Sequence, residues 1–202
     1  MKKQIMKILD NLIGKESKSR GKADEKETNP ETIHDSIQVT SGETKRYEAV
    51  RQVVDRKTLE EIIDQSLAEE KGQGGLLIGN VDRLKNINDI YGHDTGDAVL
   101  KYVVTVFRSV FGESASIGSY GGDIFALWLP TASRGDTVEI RRCVGMVNDR
   151  LLHPTGELPP VSLSVGVSFC EPGDDCRGLG KKANKALYLV KESGGCGCEV
   201  SL

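Results

Sequence analysis

Tyr120-Gly121-Gly122-Asp123-Ile124-Phe125 decides the reading of this chain. Two glycines stand between two short runs of strand formers, Ser116 to Tyr120 and Ile124 to Leu129. Glycine takes the left-handed backbone conformation that a tight turn between antiparallel strands demands, so the segment predicts a β-hairpin. Asp123 sits on the turn, where it serves either ordinary turn chemistry or ligand binding.

Outward from the hairpin, helical and strand patterns alternate. Thr58 to Glu70 carries Leu59, Ile62, Ile63 and Leu67 at helical spacing, and Gly72-Gln73-Gly74-Gly75 breaks it. Leu76 to Val81 is a short apolar run, read as a buried strand. Asp82 reads as the cap of a helix over Arg83 to Tyr91, and Asp97 as the cap of a second over Ala98 to Phe111. Thr137 to Leu152 is helical. Val161 to Phe169 alternates strictly, which predicts a half-buried strand. Leu179 to Lys191 forms a last helix, stopped by Ser193-Gly194-Gly195, and Glu199 to Leu202 a last strand. The expected fold is α/β (α+β): a mixed central sheet with flanking helices.

Ahead of residue 46 the composition changes. Residues 15–45 are polar and charged, with almost nothing apolar to bury, and read as a disordered linker. Residues 1–14 place Ile5, Ile8, Leu9, Leu12 and Ile13 on one helical face, an amphipathic helix suited to a partner protein or a membrane surface. The chain has 202 residues, 38% apolar and 28% charged, with a formal net charge of −3, which argues against a nucleic-acid coat. There is neither a membrane-length apolar run nor a secretory signal, so a cytoplasmic location is expected, peripheral to the membrane if residues 1–13 bind it. Five cysteines without a secretion signal read as thiols. Cys196-Gly197-Cys198 is the only close pair, either a soft-metal fragment or two small residues near a strand end.

The order of several motifs resembles the GGDEF domains of diguanylate cyclases. The resemblance rests on Asn80-Val81-Asp82-Arg83-Leu84-Lys85, on Ile87-Asn88-Asp89, on Gly92-His93 with Gly96-Asp97, on Tyr120 to Phe125, on Val161 to Val167, and on Ala183 to Gly194. It covers roughly residues 56 to 200, within a GGDEF-like domain taken as residues 46–202, and implies the nucleotidyl-cyclase, palm-like fold. In that family two GTP molecules are joined by attack of a 3′-hydroxyl on an α-phosphate, with Mg²⁺ or Mn²⁺ as the metal. The resemblance assigns Asn88 and Asp97 to the guanine, Lys85 and Lys191 to phosphate, and Gly121, Gly122, Asp123 and position 124 to the catalytic turn. It assigns metal ligation to Asp123, to position 80, to the Val81 backbone and, as a substitute, to Asp82.

Several positions depart from the family pattern. The strand acid is Asn80, which carries no charge, and the second hairpin acid is Ile124, which can neither bind metal nor accept a proton. Ser119 and Gly195 stand where the family has arginines, and Gly112-Glu113-Ser114-Ala115 lacks the Arg-x-x-Asp product-inhibition motif. At about 2–4 kcal/mol per lost electrostatic group, two losses lower a rate by about 10³ to 10⁶. The expectation is a catalytically degenerate domain that binds GTP or a related guanine nucleotide and works as a regulatory or interaction module. The alternatives are an active cyclase and a purely structural partner in a homodimer or in a heterodimer with another GGDEF protein.

Overall fold

A computed structural model describes residues 53–69 and 73–201. The amphipathic helix expected over residues 1–14 and the linker over 15–45 lie outside the described residues. Within them the chain runs β1 (Val53–Asp55), α1 (Arg56–Glu69), β2 (Gly75–Val81), α2 (Leu84–Tyr91), α3 (His93–Phe111), β3 (Ser116–Gly121), β4 (Ile124–Leu129), α4 (Thr137–Leu152), β5 (Leu163–Phe169), α5 (Cys176–Glu192) and β6 (Gly197–Val200). The strands form one six-stranded mixed sheet in the order β1-β3-β4-β2-β5-β6. The inner pairings β3/β4, β4/β2 and β2/β5 are antiparallel, while the edge strands β1 and β6 pair in parallel with β3 and β5.

Period-2 alternation sorts the sheet residues onto two faces. Leu77 and Val81 of β2 join Val103, Val104 and Phe107 of α3 and Val144 and Val147 of α4 in one core. Leu76 and Ile78 of β2 join Ala126 and Trp128 of β4, Leu59 and Ile63 of α1 and Leu179, Ala183 and Leu187 of α5 in the other. The architecture is thus helix, sheet, helix.

The expected mixed sheet is present, and six local readings are corrected. The first strand, β1, escaped the sequence pattern because three residues are too few to show a period. β5 is buried along its whole length rather than on one face. Its alternation is real, but the small polar residues Ser164 and Ser168 face the helix α5 side and are satisfied there: Ser168 Oγ donates to Leu179 O at 2.9 Å. Asp82 does not cap α2, because Arg83, at φ 57°, occupies that position without a side-chain cap bond. Asp97 does not begin α3, which starts at His93 behind Gly92 and continues through Gly96. The last helix likewise starts earlier than its apolar pattern, at Cys176, where Asp175 Oδ1 accepts from Gly178 N at 2.6 Å. The last strand lies two residues before its expected start, at Gly197–Val200.

Candidate functional site

The hairpin turn closes in two residues, Gly122 and Asp123, between the register pair Gly121 and Ile124. Gly121 at φ 99° and Gly122 at φ 57° hold the positive dihedrals that the turn needs. The turn is tied to the neighbouring strand, since Val81 N donates to Asp123 O at 3.0 Å. Asn80 stands opposite Ile124 in the ladder, so the two departures from the acidic pattern are cross-strand partners. The Ser119 side chain, two residues before the glycines, accepts a local bond from Gly121 N at 3.3 Å.

Beside the turn lies a cavity of about 310 Å³, bounded by α2, the start of α3 and the hairpin tip. Lys85, Asn88, His93, Asp97, Gly122 and Asp123 all line it. Asn88 Oδ1 is a buried acceptor without a hydrogen-bond partner among the described residues. A buried unsatisfied acceptor costs about 1–3 kcal/mol. Its carbonyl lies so close to Gly96 that a Cβ there would come within 1.8 Å of Oδ1. Gly96 therefore clears the space that the Asn88 amide occupies. The guanine edge offers N–H donors and carbonyl and ring-nitrogen acceptors, which suits an amide and a carboxylate, Asp97, in one cavity.

The remaining residues assigned from sequence lie elsewhere. Ile124 faces the opposite side of the sheet, where it lines a larger cleft of about 650 Å³ with Ile78, Tyr120 and Cys176 between α1 and α5. Burial pushes both the Tyr120 phenol and the Cys176 thiol up to about 12, so neither ionises at neutral pH. Asn80, Asp82 and Lys191 form a third group. Lys191 Nζ donates to Asn80 Oδ1 at 2.5 Å and to Asp82 Oδ1 at 2.6 Å. Asp82 also accepts from Ser164 Oγ on Oδ1 at 2.7 Å, and from Ser162 Oγ and Cys196 N on Oδ2 at 2.6 and 3.1 Å. Burial pushes the Asp82 carboxyl up, but hydrogen bonds from Lys191, Ser162 and Ser164, with the ammonium charge, outweigh it and hold the group below the usual carboxylate range.

This third group bears on the expected metal. The candidate ligands are split: Asp123 belongs to the cavity, while the side-chain oxygens of Asn80 and Asp82 are engaged by a lysine. Val81 directs its side chain into the core, so only its backbone is available. Among the described residues no cluster of three or more His, Cys, Asp or Glu is placed to hold an ion. The donor set does not fit a divalent cation, which wants several oxygen ligands at once. Ser162 and Ser164, which sequence reading missed as site residues, were visible only as small polar interruptions in a strand. Cys198 lies in β6 and Cys196 in the left-handed turn before it, at φ 54°, both as free thiols.

The sequence profile of the GGDEF domain, described as diguanylate cyclase, GGDEF domain, matches residues 46–196. The chain belongs to the GGDEF family. Diguanylate cyclase DosC of Escherichia coli is 30% identical over 152 residues, covering 73% of this chain and 33% of that protein. Diguanylate cyclase A of Treponema denticola is 30% identical over 131 residues, covering 64% of this chain and 35% of that one. This GGDEF chain thus spans about a third of the length of the curated relatives it matches. Among solved structures, the active GGEEF domain of a diguanylate cyclase from Vibrio cholerae superposes with a TM-score of 0.67 at 27% identity, covering 75% of this chain and 99% of that one. Diguanylate cyclase SiaD of Pseudomonas aeruginosa, solved with its activator SiaC, gives a TM-score of 0.66 at 25% identity over 78% of this chain and 64% of that one. The GGDEF fold is the one that the motif order implied. Among the described residues no helix is long and apolar enough to cross a membrane.

Proposed function

We propose that this domain is a catalytically degenerate member of the cyclic di-GMP signalling family, which binds a guanine nucleotide and acts as a regulatory or interaction module. The observation that carries the reading is the separation of the two halves of the site. Asn88, with its unsatisfied acceptor, shares a cavity with Lys85, Asp97 and Asp123. The groups that should hold metal and move a proton are instead an isoleucine on the other face and an asparagine bound to lysine. Base recognition and phosphate contact need only the first half. Phosphodiester formation needs both, because charge must be neutralised where the 3′-oxygen attacks. The reading places the domain in the cytoplasm, where GTP is available, with a second GGDEF chain or a regulatory protein as its partner, as SiaD has SiaC.

The test uses the whole chain. Incubation with GTP and either Mg²⁺ or Mn²⁺ should give no cyclic di-GMP above a protein-free control, while calorimetry should detect GTP binding. Clear product would instead favour the active cyclase, which the place of Asp123 beside Lys85 and Asn88 supports; Asp123→Ala should then abolish it. Absence of any guanine-nucleotide binding would leave a structural partner role.

A further inference from the structure

The Asp82 carboxylate has a complete set of partners within the chain. Each carboxylate oxygen has about two acceptor positions. Oδ1 takes Ser164 Oγ and Lys191 Nζ, and Oδ2 takes Ser162 Oγ and Cys196 N. The Asp82 side chain is 12% exposed and that of Lys191 35%. The same ammonium reaches the Asn80 carbonyl oxygen, so one positive charge bridges the two oxygens that a cation at this end of β2 would use. Two of its three N–H groups are thereby committed, which leaves one for a ligand oxygen.

The turn after α5 is shaped around this arrangement. Gly195 has φ +82°, and a Cβ there would lie 3.2 Å from Asp82 Oδ1 and 3.3 Å from its other carboxyl atoms. Cys196, at φ 54°, brings its N–H onto the same carboxylate. The chain therefore closes over Asp82 rather than opening toward solvent.

We propose that Lys191 is a tethered cation that takes the divalent ion's place, so that this site binds its guanine nucleotide without metal. The inference rests on the proposed nucleotide pocket for its ligand, but its cation half stands on the Asp82 network alone. Entry of a divalent ion would require Lys191 to leave both oxygens, or at least one hydrogen bond to Asp82 to break, and would set like charges side by side. With Lys191 in place, Lys85, which lines the cavity, meets the nucleotide's phosphates instead of a metal ion.

Two measurements on the whole chain decide it. Mn²⁺ alone is titrated while water-proton relaxation and the amide signals of Asn80 to Asp82 are followed. The native chain should show no selective broadening up to roughly millimolar Mn²⁺, and Lys191→Met should bind Mn²⁺ at least about tenfold more tightly. If circular dichroism finds Lys191→Met unfolded, Lys191→Gln takes its place. Selective broadening of the native signals at micromolar Mn²⁺, or no gain in the folded variant, overturns the proposal. GDP is then titrated in Mg²⁺ and in EDTA: dissociation constants within about twofold support metal-free binding, and a tenfold advantage in Mg²⁺ overturns it. If GDP fails to bind in either buffer, the nucleotide-binding reading and the metal-free binding drawn from it both fall, while the Mn²⁺ result still decides whether Lys191 holds the cation position.

Discussion

At the scale of residues, the site is governed by which side chains already have partners. Asn88 has a buried oxygen without one. Its replacement by alanine should weaken guanine-nucleotide binding by about 10- to 100-fold, the value of one or two lost hydrogen bonds; calorimetry measures it, and unchanged affinity would place the nucleotide elsewhere. Ile124→Glu alone should produce no cyclic di-GMP. The new carboxylate would face the α1/α5 cleft, opposite an Asn80 still bound to Lys191. Asp82 makes an acid-sensitive contribution to stability. Its folded pKa is lowered, so the folded state binds fewer protons than the unfolded chain as the group titrates. The contribution is therefore complete above the ordinary carboxylate range and disappears as pH falls through the lowered value. Asp82→Asn should cost about 2–3 kcal/mol at neutral pH and flatten the acid limb of a stability curve measured by urea unfolding at several pH values.

At the scale of elements, α5 approaches the backbone of β5 closely. A Cβ on Gly166 would lie 2.0 Å from Ala183 O and 2.3 Å from Leu187 N, which are backbone atoms and cannot move aside singly. Gly166→Ala should destabilise by about 2–4 kcal/mol. Because Lys191 rides on the same helix, it should also shift the amide signals of Asn80 and Asp82 in NMR spectra. The elements were legible to the degree that each carried its own period. The hairpin showed clear spacing in the sequence and falls where that spacing put it, and α3 ends at Phe111 as its apolar pattern implied but begins five residues before it, at His93. β1 was too short to show one, and the start of α5 was hidden because its first turn holds a half-apolar mix, Cys176-Arg177-Gly178. The cavity residues were identifiable through motif order. The engagement of Asp82 was not, because Lys191 and Ser164 approach it from positions 109 and 82 residues away in the chain.

At the scale of the whole molecule, both cores share one sheet, so neither helical layer can be lost without exposing strands that are buried on both faces. A single cooperative unfolding transition is expected. Trp128 is the only tryptophan of the chain and is 1% exposed, in the core beneath α1 and α5. Its fluorescence should therefore change at the same urea concentration as the far-ultraviolet circular dichroism, which reports all the helices. A fluorescence midpoint at lower urea would show that the α1 and α5 layer opens first.

The strand order carries a mechanical consequence. β1 and β6 occupy opposite edges, so a load applied between Val53 and Ser201 must cross every ladder of the sheet. The shortest ladder is β1 on β3, three register pairs from Val53 to Asp55, against seven for β2 on β5. Pulling would peel β1 away and strip α1 from Trp128, while the cleft between α2 and α3 stayed loaded but intact. An attachment on that side would be a compliant spring, with the cleft between α2 and α3 behind it.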